Sequence, residues 1–343
     1  MFNHRRIIGG ENAVYQTSGT LIPAAPDLSP YERGMLVELL QRCADFSGIT
    51  LYTYHVGQRG YFALVRVPPV DEATDDEELI RRWEALYGEE LAQAVGINLA
   101  TVKAVLPGKS AEAEALRQHL FKRMGDLSMF QRIFRQRATR WYNRIHGGVG
   151  QMWGGPFTSV LVEDDPAVRS LAGAYIDLAP VREGLAAHPE HYPWCGFGAV
   201  AFGHDAMLEA LAEMIDPDLP PTTALGRYRT LMQLWGPYPE PTPDALRAAG
   251  GLPLPAAPAL FARRQTAMER GGAVGQPEFI AAQLVEAGFR RRVQPAPGFT
   301  SEASPVRITH LREPVPGRGR PRKRYWRVAE AEAAAASPAT AAQ

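Results

Sequence analysis

Two short apolar runs joined by a glycine-bracketed turn constrain this chain more than any other feature. Residues 49–56 and 61–67 are each strand-length and rich in β-branched and aromatic side chains, with Gly57-Gln58-Arg59-Gly60 between them. So short a connection makes them an antiparallel hairpin. The segments around it read as helices. In residues 31–46, Met35, Leu36, Leu39, Leu40 and Cys43 share one face. The acids at 75–78 open a helix through residue 87, with negative side chains at its positive end. Residues 112–124 and 128–146 make two more helices, and 153–162 a strand. Asp164-Asp165-Pro166 then starts a helix that runs through Tyr175 and stops before Pro180. Residues 11–22 form the first strand. This order predicts an α+β fold, a small antiparallel sheet with helices packed on one face, over about 200 residues.

After Gly203 the character changes. Helices are expected at 205–214, 223–235 and 277–287, with a Pro, Ala and Gly-rich linker at 237–258. The tail from Ala329 has the composition of a disordered end. The expected domains are 11–203, a helical extension over 204–300, and a basic tail over 301–343.

Composition bounds function through local charge. The 343 residues are 45% hydrophobic and carry a formal net charge of zero. Residues 117–144 nevertheless hold eight Arg or Lys against Asp126 alone, and residues 307–327 hold eight against Glu313 alone. Screening limits the reach of a charge to about 10 Å, so patches rather than totals attract phosphate. Two cysteines, Cys43 and Cys195, make neither a disulfide framework nor a zinc site, and suggest a reducing cytoplasm. The first ten residues have no apolar core and no run approaches the roughly 20 apolar residues of a membrane span, so no secretory signal or membrane partner is expected.

Three constellations could carry chemistry. On the helix 128–146, Phe130, Phe134, Ala138, Trp141 and Ile145 form a core stripe. Arg137, Arg140 and Arg144 flank it on one side, Arg132 and Arg135 on the other. These arginines read either as phosphate contacts or as a solvated basic face. The run Pro316-Gly317-Arg318-Gly319-Arg320-Pro321-Arg322-Lys323-Arg324 looks like an AT-hook, whose arginines lie along a narrow A·T minor groove. The bland alternative is a basic tail. Arg270-Gly271-Gly272-Ala273-Val274-Gly275 lacks the spacing of a nucleotide-binding loop.

Tyr175, in Tyr-Ile-Asp-Leu-Ala-Pro-Val-Arg-Glu-Gly, completes the pattern. Together with Asp126-Leu127-Ser128, Trp141-Tyr142-Asn143 and Leu161-Val162-Glu163-Asp164, it resembles the REP-associated tyrosine transposases, a branch of the single-tyrosine HUH nucleases. The likeness is dense over 123–184, covers 11–203, and continues thinly through 220–290, where 271–288 resembles a helical extension. It implies that Tyr175 is the nucleophile, attacking a DNA phosphate to form a 5′-phosphotyrosine link. It also implies a divalent cation held by two histidines one residue apart on the strand facing the tyrosine. Alternate strand residues share a face, and the matching positions here are Gly60 and Phe62, which supply no ligand. His4, His55, His188 and His191 are the candidates for a relocated site. Asp177 is expected to face away from Tyr175. Pro156 and Thr158 stand where the family carries Arg and Lys, Ala179-Pro180 where it carries Asn-Pro, and Tyr15-Gln16-Thr17 and Gly19 where it carries Tyr-His-Val and Arg.

The resemblance therefore implies a DNA-binding protein that recognises a hairpin or single strand, and A·T-rich duplex through its tail, with impaired cleavage. Such a protein would be cytoplasmic and nucleoid-associated, a monomer or homodimer, and would need no cofactor. The alternatives are an active transposase with a rearranged Mg or Mn site, and a decaying copy with a fold and no task. Tyr175 would then serve packing alone.

Overall fold

The hairpin forms as its sequence requires. In the computed structural model, which describes residues 12–91, 99–236, 268–269, 271–286 and 309–312, β2 (Thr50–Val56) pairs antiparallel with β3 (Gly60–Val67), setting His55 opposite Phe62 and Val56 opposite Tyr61. The first strand, β1 (Ala13–Thr20), lies between β3 and β4 (Thr158–Val162) and is antiparallel to both. Two further strands, β5 (Gly271–Gly275) and β6 (Thr309–Arg312), extend the sheet to the order β2-β3-β1-β4-β5-β6 among the described residues.

The α+β class stands, with corrections of detail. β4 and β5 run parallel, so the sheet is mixed. Helices cover both faces, because the strands are apolar on both. Tyr61, Ala63 and Val65 of β3 belong to one core, while Leu64 belongs to the other with Phe62 packed beside it. The first face carries α1 (Pro30–Ser47), α2 (Asp76–Leu91), α3 (Leu99–Val105), α4 (Ala111–Phe121) and α5 (Leu127–Ile145). The second carries α6 (Pro166–Asp177), with α9 (Asp205–Ile215) and α10 (Pro221–Trp235) packed over it; the short helices α7 (Ala179–Arg182) and α8 (Gly196–Ala201) lie between. The strand expected at 153–162 begins only at Thr158, because Gly154-Gly155-Pro156 interrupts it. Trp153 keeps a single bridge to Leu21.

Local chemistry explains the two helices that matter for function. Asp165 caps α6 by accepting from the amides of Ala167 and Val168 at 2.9 and 3.2 Å, and Pro166 fills the first turn, where no amide donor is needed. Every residue from Val168 to Asp177 is buried, since α6 has the sheet on one side and α9 and α10 on the other. Gly173 allows that second approach: a β-carbon there would lie 2.6 Å from Met214 and 3.0 Å from the Tyr228 hydroxyl. Asp126 caps α5 through the Met129 amide at 2.6 Å. The α5 stripe then buries Phe130, Phe134 and Ala138 completely, but its last turn leaves the core: Trp141 is half-buried and Ile145 is 44% exposed.

The chain divides into two units, Met1–Arg312 and Glu313–Gln343, and the second lies outside the described residues.

Candidate functional site

Tyr175 projects from α6 onto the sheet and is fully buried. Its ring meets Phe62 edge-on, with centroids 6.3 Å apart and planes at 82°. The Arg182 guanidinium lies 4.1 Å from the ring centre, and the same side chain donates to the Tyr175 carbonyl at 2.8 Å. The phenol hydroxyl donates to Oε1 of Glu269 at 2.7 Å. Glu269 is held there by its neighbour, since Met268 is buried and its carbonyl accepts from the side-chain Nε2 of Gln16 on β1 at 2.5 Å. Two residues further along β1, the hydroxyls of Ser18 and Thr158 share a 2.5 Å hydrogen bond.

The positions that the resemblance assigns to metal ligands are occupied by groups without lone pairs to offer. Phe62 presents only its ring to Tyr175. Gly60 is a glycine for a steric reason: a β-carbon there would overlap the Gly19 carbonyl oxygen on β1, so a side chain at that position requires the backbone to move. An imidazole does lie nearby. His55 pairs with Phe62 across the hairpin, and its ring stacks behind the Phe62 ring at 6.5 Å and 23°. His55 is buried; its Nε2 is 3.1 Å from Glu183, and its Nδ1 has no partner among the described residues. Burial pushes its pKa down, opposed by the Glu183 hydrogen bond. Phe62 thus contacts both the imidazole and the phenol ring. Of the other candidates, His188 and His191 face each other at 5.4 Å, and His4 lies outside the described residues. Among the described residues, no three His, Cys, Asp or Glu side chains cluster as a metal site would need. The residues at this place do not fit a divalent cation.

Asp177 points elsewhere than Tyr175 and has a different function in the fold. It is fully buried and accepts from the Thr53 hydroxyl at 2.8 Å, the Phe197 amide at 3.0 Å and the Tyr228 hydroxyl at 2.6 Å. It therefore ties α6 to β2, α8 and α10. Burial pushes its pKa up to about 6, against the opposing pull of those three donors. The Thr53 contact depends on a bulge: Leu51 opposes Val65 and Thr53 opposes Leu64, so Tyr52 is the extra residue. Both Tyr52 and Thr53 consequently face the α6 layer. Tyr52 reaches Glu213 of α9 at 3.2 Å.

The five α5 arginines lie across the sheet from Tyr175, in the layer of the other core. They are not equivalent. Arg135 is half-buried, sits 5.2 Å over the Trp153 ring and donates to the Gly155 carbonyl, so it packs α5 against the 150–157 loop. Arg137 is half-buried with its guanidinium 4.2 Å over Tyr87. Arg132, Arg140 and Arg144 are exposed, and none has a carboxylate partner among the described residues. They form a ridge with a groove on each flank. The first, of about 460 Å³ between α1, α2 and α5, adds Arg42 and Arg123, which the sequence pattern did not single out because they lie on other segments. The second, of about 680 Å³, runs between α5 and the 150–157 loop. Beside the first groove, Tyr31 is 67% exposed with its ring 6.2 Å from Trp141. Arg318, Arg320, Arg322, Lys323 and Arg324 lie outside the described residues.

No helix among the described residues is long and apolar enough to cross a membrane. No protein-family model and no curated protein matches the chain. A solved structure of a REP-associated tyrosine transposase bound to a REP hairpin is similar over 64% of this chain and 92% of that one, at 11% identity and a TM-score of 0.33.

Proposed function

We propose that this chain is a DNA-binding protein of the REP-associated tyrosine transposase type, with a tyrosine pocket that no longer supports metal-assisted cleavage. The observation that carries the binding half is the α5 ridge: Arg132, Arg140 and Arg144 are exposed with no carboxylate partner among the described residues, and Arg42 and Arg123 line the adjoining groove. Guanidinium groups bond phosphate oxygens bidentately and release condensed counterions, so such a row favours a nucleic-acid backbone. DNA rather than another polyanion follows from the sequence resemblance, which also suggests a hairpin or single strand as the target. In the same reading the basic run from Arg318 to Arg324 adds a minor-groove contact to A·T-rich duplex, and residues 11–203 are the DNA-processing domain.

The cleavage half rests on Phe62 and Gly60. An edge-on phenylalanine ring, and a glycine whose β-carbon would overlap the Gly19 carbonyl oxygen, leave those two strand positions without ligand donors. One observation favours the alternative of surviving activity. The phenol already donates to a carboxylate at 2.7 Å, the arrangement a general base needs to activate a hydroxyl nucleophile. A 3′-labelled hairpin oligonucleotide incubated with the protein and Mg²⁺ or Mn²⁺ separates the two. The proposal expects retained binding and no denaturation-resistant adduct. An adduct that vanishes in Tyr175→Phe establishes the alternative.

A further inference from the structure

We propose that Tyr31 and Trp141 form a stacking platform for unpaired DNA bases at the end of the arginine-lined groove. The inference rests on the DNA-binding reading above and narrows it to single-stranded segments. Tyr31 lies in the first turn of α1, is 67% exposed, and has its ring 6.2 Å from that of Trp141, the two planes inclined by 48°. Trp141 is half-buried and lines the same groove as Arg137, Arg140 and Arg144. Ile145, one turn further along α5, is 44% exposed. The row of cations therefore ends in an exposed aromatic and aliphatic patch.

The patch is held in place by its own architecture. Glu32, next to Tyr31, accepts from His146 at 2.6 Å and from the Ser29 amide at 2.7 Å, which ties the start of α1 to the end of α5. The two rings are thus positioned before any ligand arrives. The nearby carboxylates are engaged, Glu32 in these bonds and Glu38 with Arg42, and do not oppose a phosphate along the ridge. Duplex DNA keeps its base faces inside the stack, so an exposed ring contributes nothing to binding it. An unpaired base offers its π-face to such a ring while arginines hold the flanking phosphates.

Fluorescence anisotropy tests this with two labelled probes, an oligothymidylate of about 16 nucleotides and a blunt mixed-sequence duplex of equal length. Tyr31 is exposed, so Tyr31→Ala does not threaten folding. The expected result is that Tyr31→Ala weakens strand binding about tenfold or more, leaves duplex binding unchanged, and is rescued by Tyr31→Trp. Unchanged strand affinity in Tyr31→Ala, or equal losses on both probes, overturns the inference while leaving the DNA-binding reading intact. Failure of the wild-type chain to bind either probe overturns that reading, and this inference with it.

Discussion

The Tyr175 hydroxyl donates to the Glu269 carboxylate at 2.7 Å, joining α6 to a segment 94 residues further along the chain. A hydrogen bond to a charged group contributes roughly 1.5–3 kcal/mol. Glu269→Ala is expected to lower stability by about that amount, and Tyr175→Phe by no more. The double variant should lose less than the two single losses combined, because each change removes the same bond. Urea denaturation of the four proteins measures this, and strict additivity would show that the two residues are not coupled.

Gly60 is fixed by sterics. The missing side chain lets the β1 carbonyl of Gly19 come close, and Gly60→Ala forces backbone to move. The expected loss is about 1–3 kcal/mol, the usual cost of overpacking. Gly60→His, which places there the residue that the sequence resemblance implies, is expected to destabilise at least as much and to bring no thermal stabilisation by Mn²⁺. A Gly60→His protein as stable as wild type, with a melting temperature raised by Mn²⁺, would contradict the geometry of this strand pair.

Asp177 makes stability depend on pH. Its folded pKa is raised from 3.8 to about 6. Its contribution is thus fully present below pH 3.8 and is lost as pH rises through about 6. The shift corresponds to up to ~3 kcal/mol. In Asp177→Asn the side-chain oxygen still accepts from Thr53 and the Phe197 amide, and the Tyr228 hydroxyl can turn to accept from the new amide. Chemical denaturation at a series of pH values should show wild type losing stability relative to Asp177→Asn between pH 4 and 6.5. Parallel curves would mean that the carboxyl is not strained by burial.

His55 acts in the opposite sense. Its folded pKa lies below 6.5, so its contribution is present above pH 6.5 and is lost as pH falls below it. Compared in the Asp177→Asn background, the protein with His55 should lose stability faster on acidification than one carrying His55→Phe. Gly57→Ala should weaken the arrangement from the other side, since a β-carbon there would lie 2.5 Å from Glu183 and 2.8 Å from the His55 ring nitrogen. NMR titration of the imidazole reads the shift directly, and a pKa at or above 6.5 in the folded protein would refute it.

What could be read from the sequence was local. The hairpin, the Asp165 cap with Pro166, and the first three turns of the α5 stripe each follow from residues within one segment. β5 was hidden because Gly-Gly-Ala-Val-Gly has almost no strand-forming side chains; its place comes from pairing beside β4. The bulge at Tyr52 inverts the alternation of half a strand and leaves no mark in the residue pattern. The site contacts were least legible. Glu269 meets Tyr175, His55 stacks on Phe62, and Asp177 collects three donors only after distant segments assemble. The arginines were visible as a charged run, but their division into packing residues, Arg135 and Arg137, and exposed ones depended on what Trp153 and Tyr87 covered.

If the α5 ridge holds DNA, the salt dependence of binding must report its arginines. Anisotropy titrations of a labelled hairpin over a range of NaCl concentrations compare wild type with the combined Arg132→Ala, Arg140→Ala and Arg144→Ala variant. If each arginine neutralises one phosphate, the slope of log affinity against log salt falls by about 2–3 in the variant, with a loss of tenfold or more at low salt. An unchanged slope and affinity would place the DNA elsewhere on the chain.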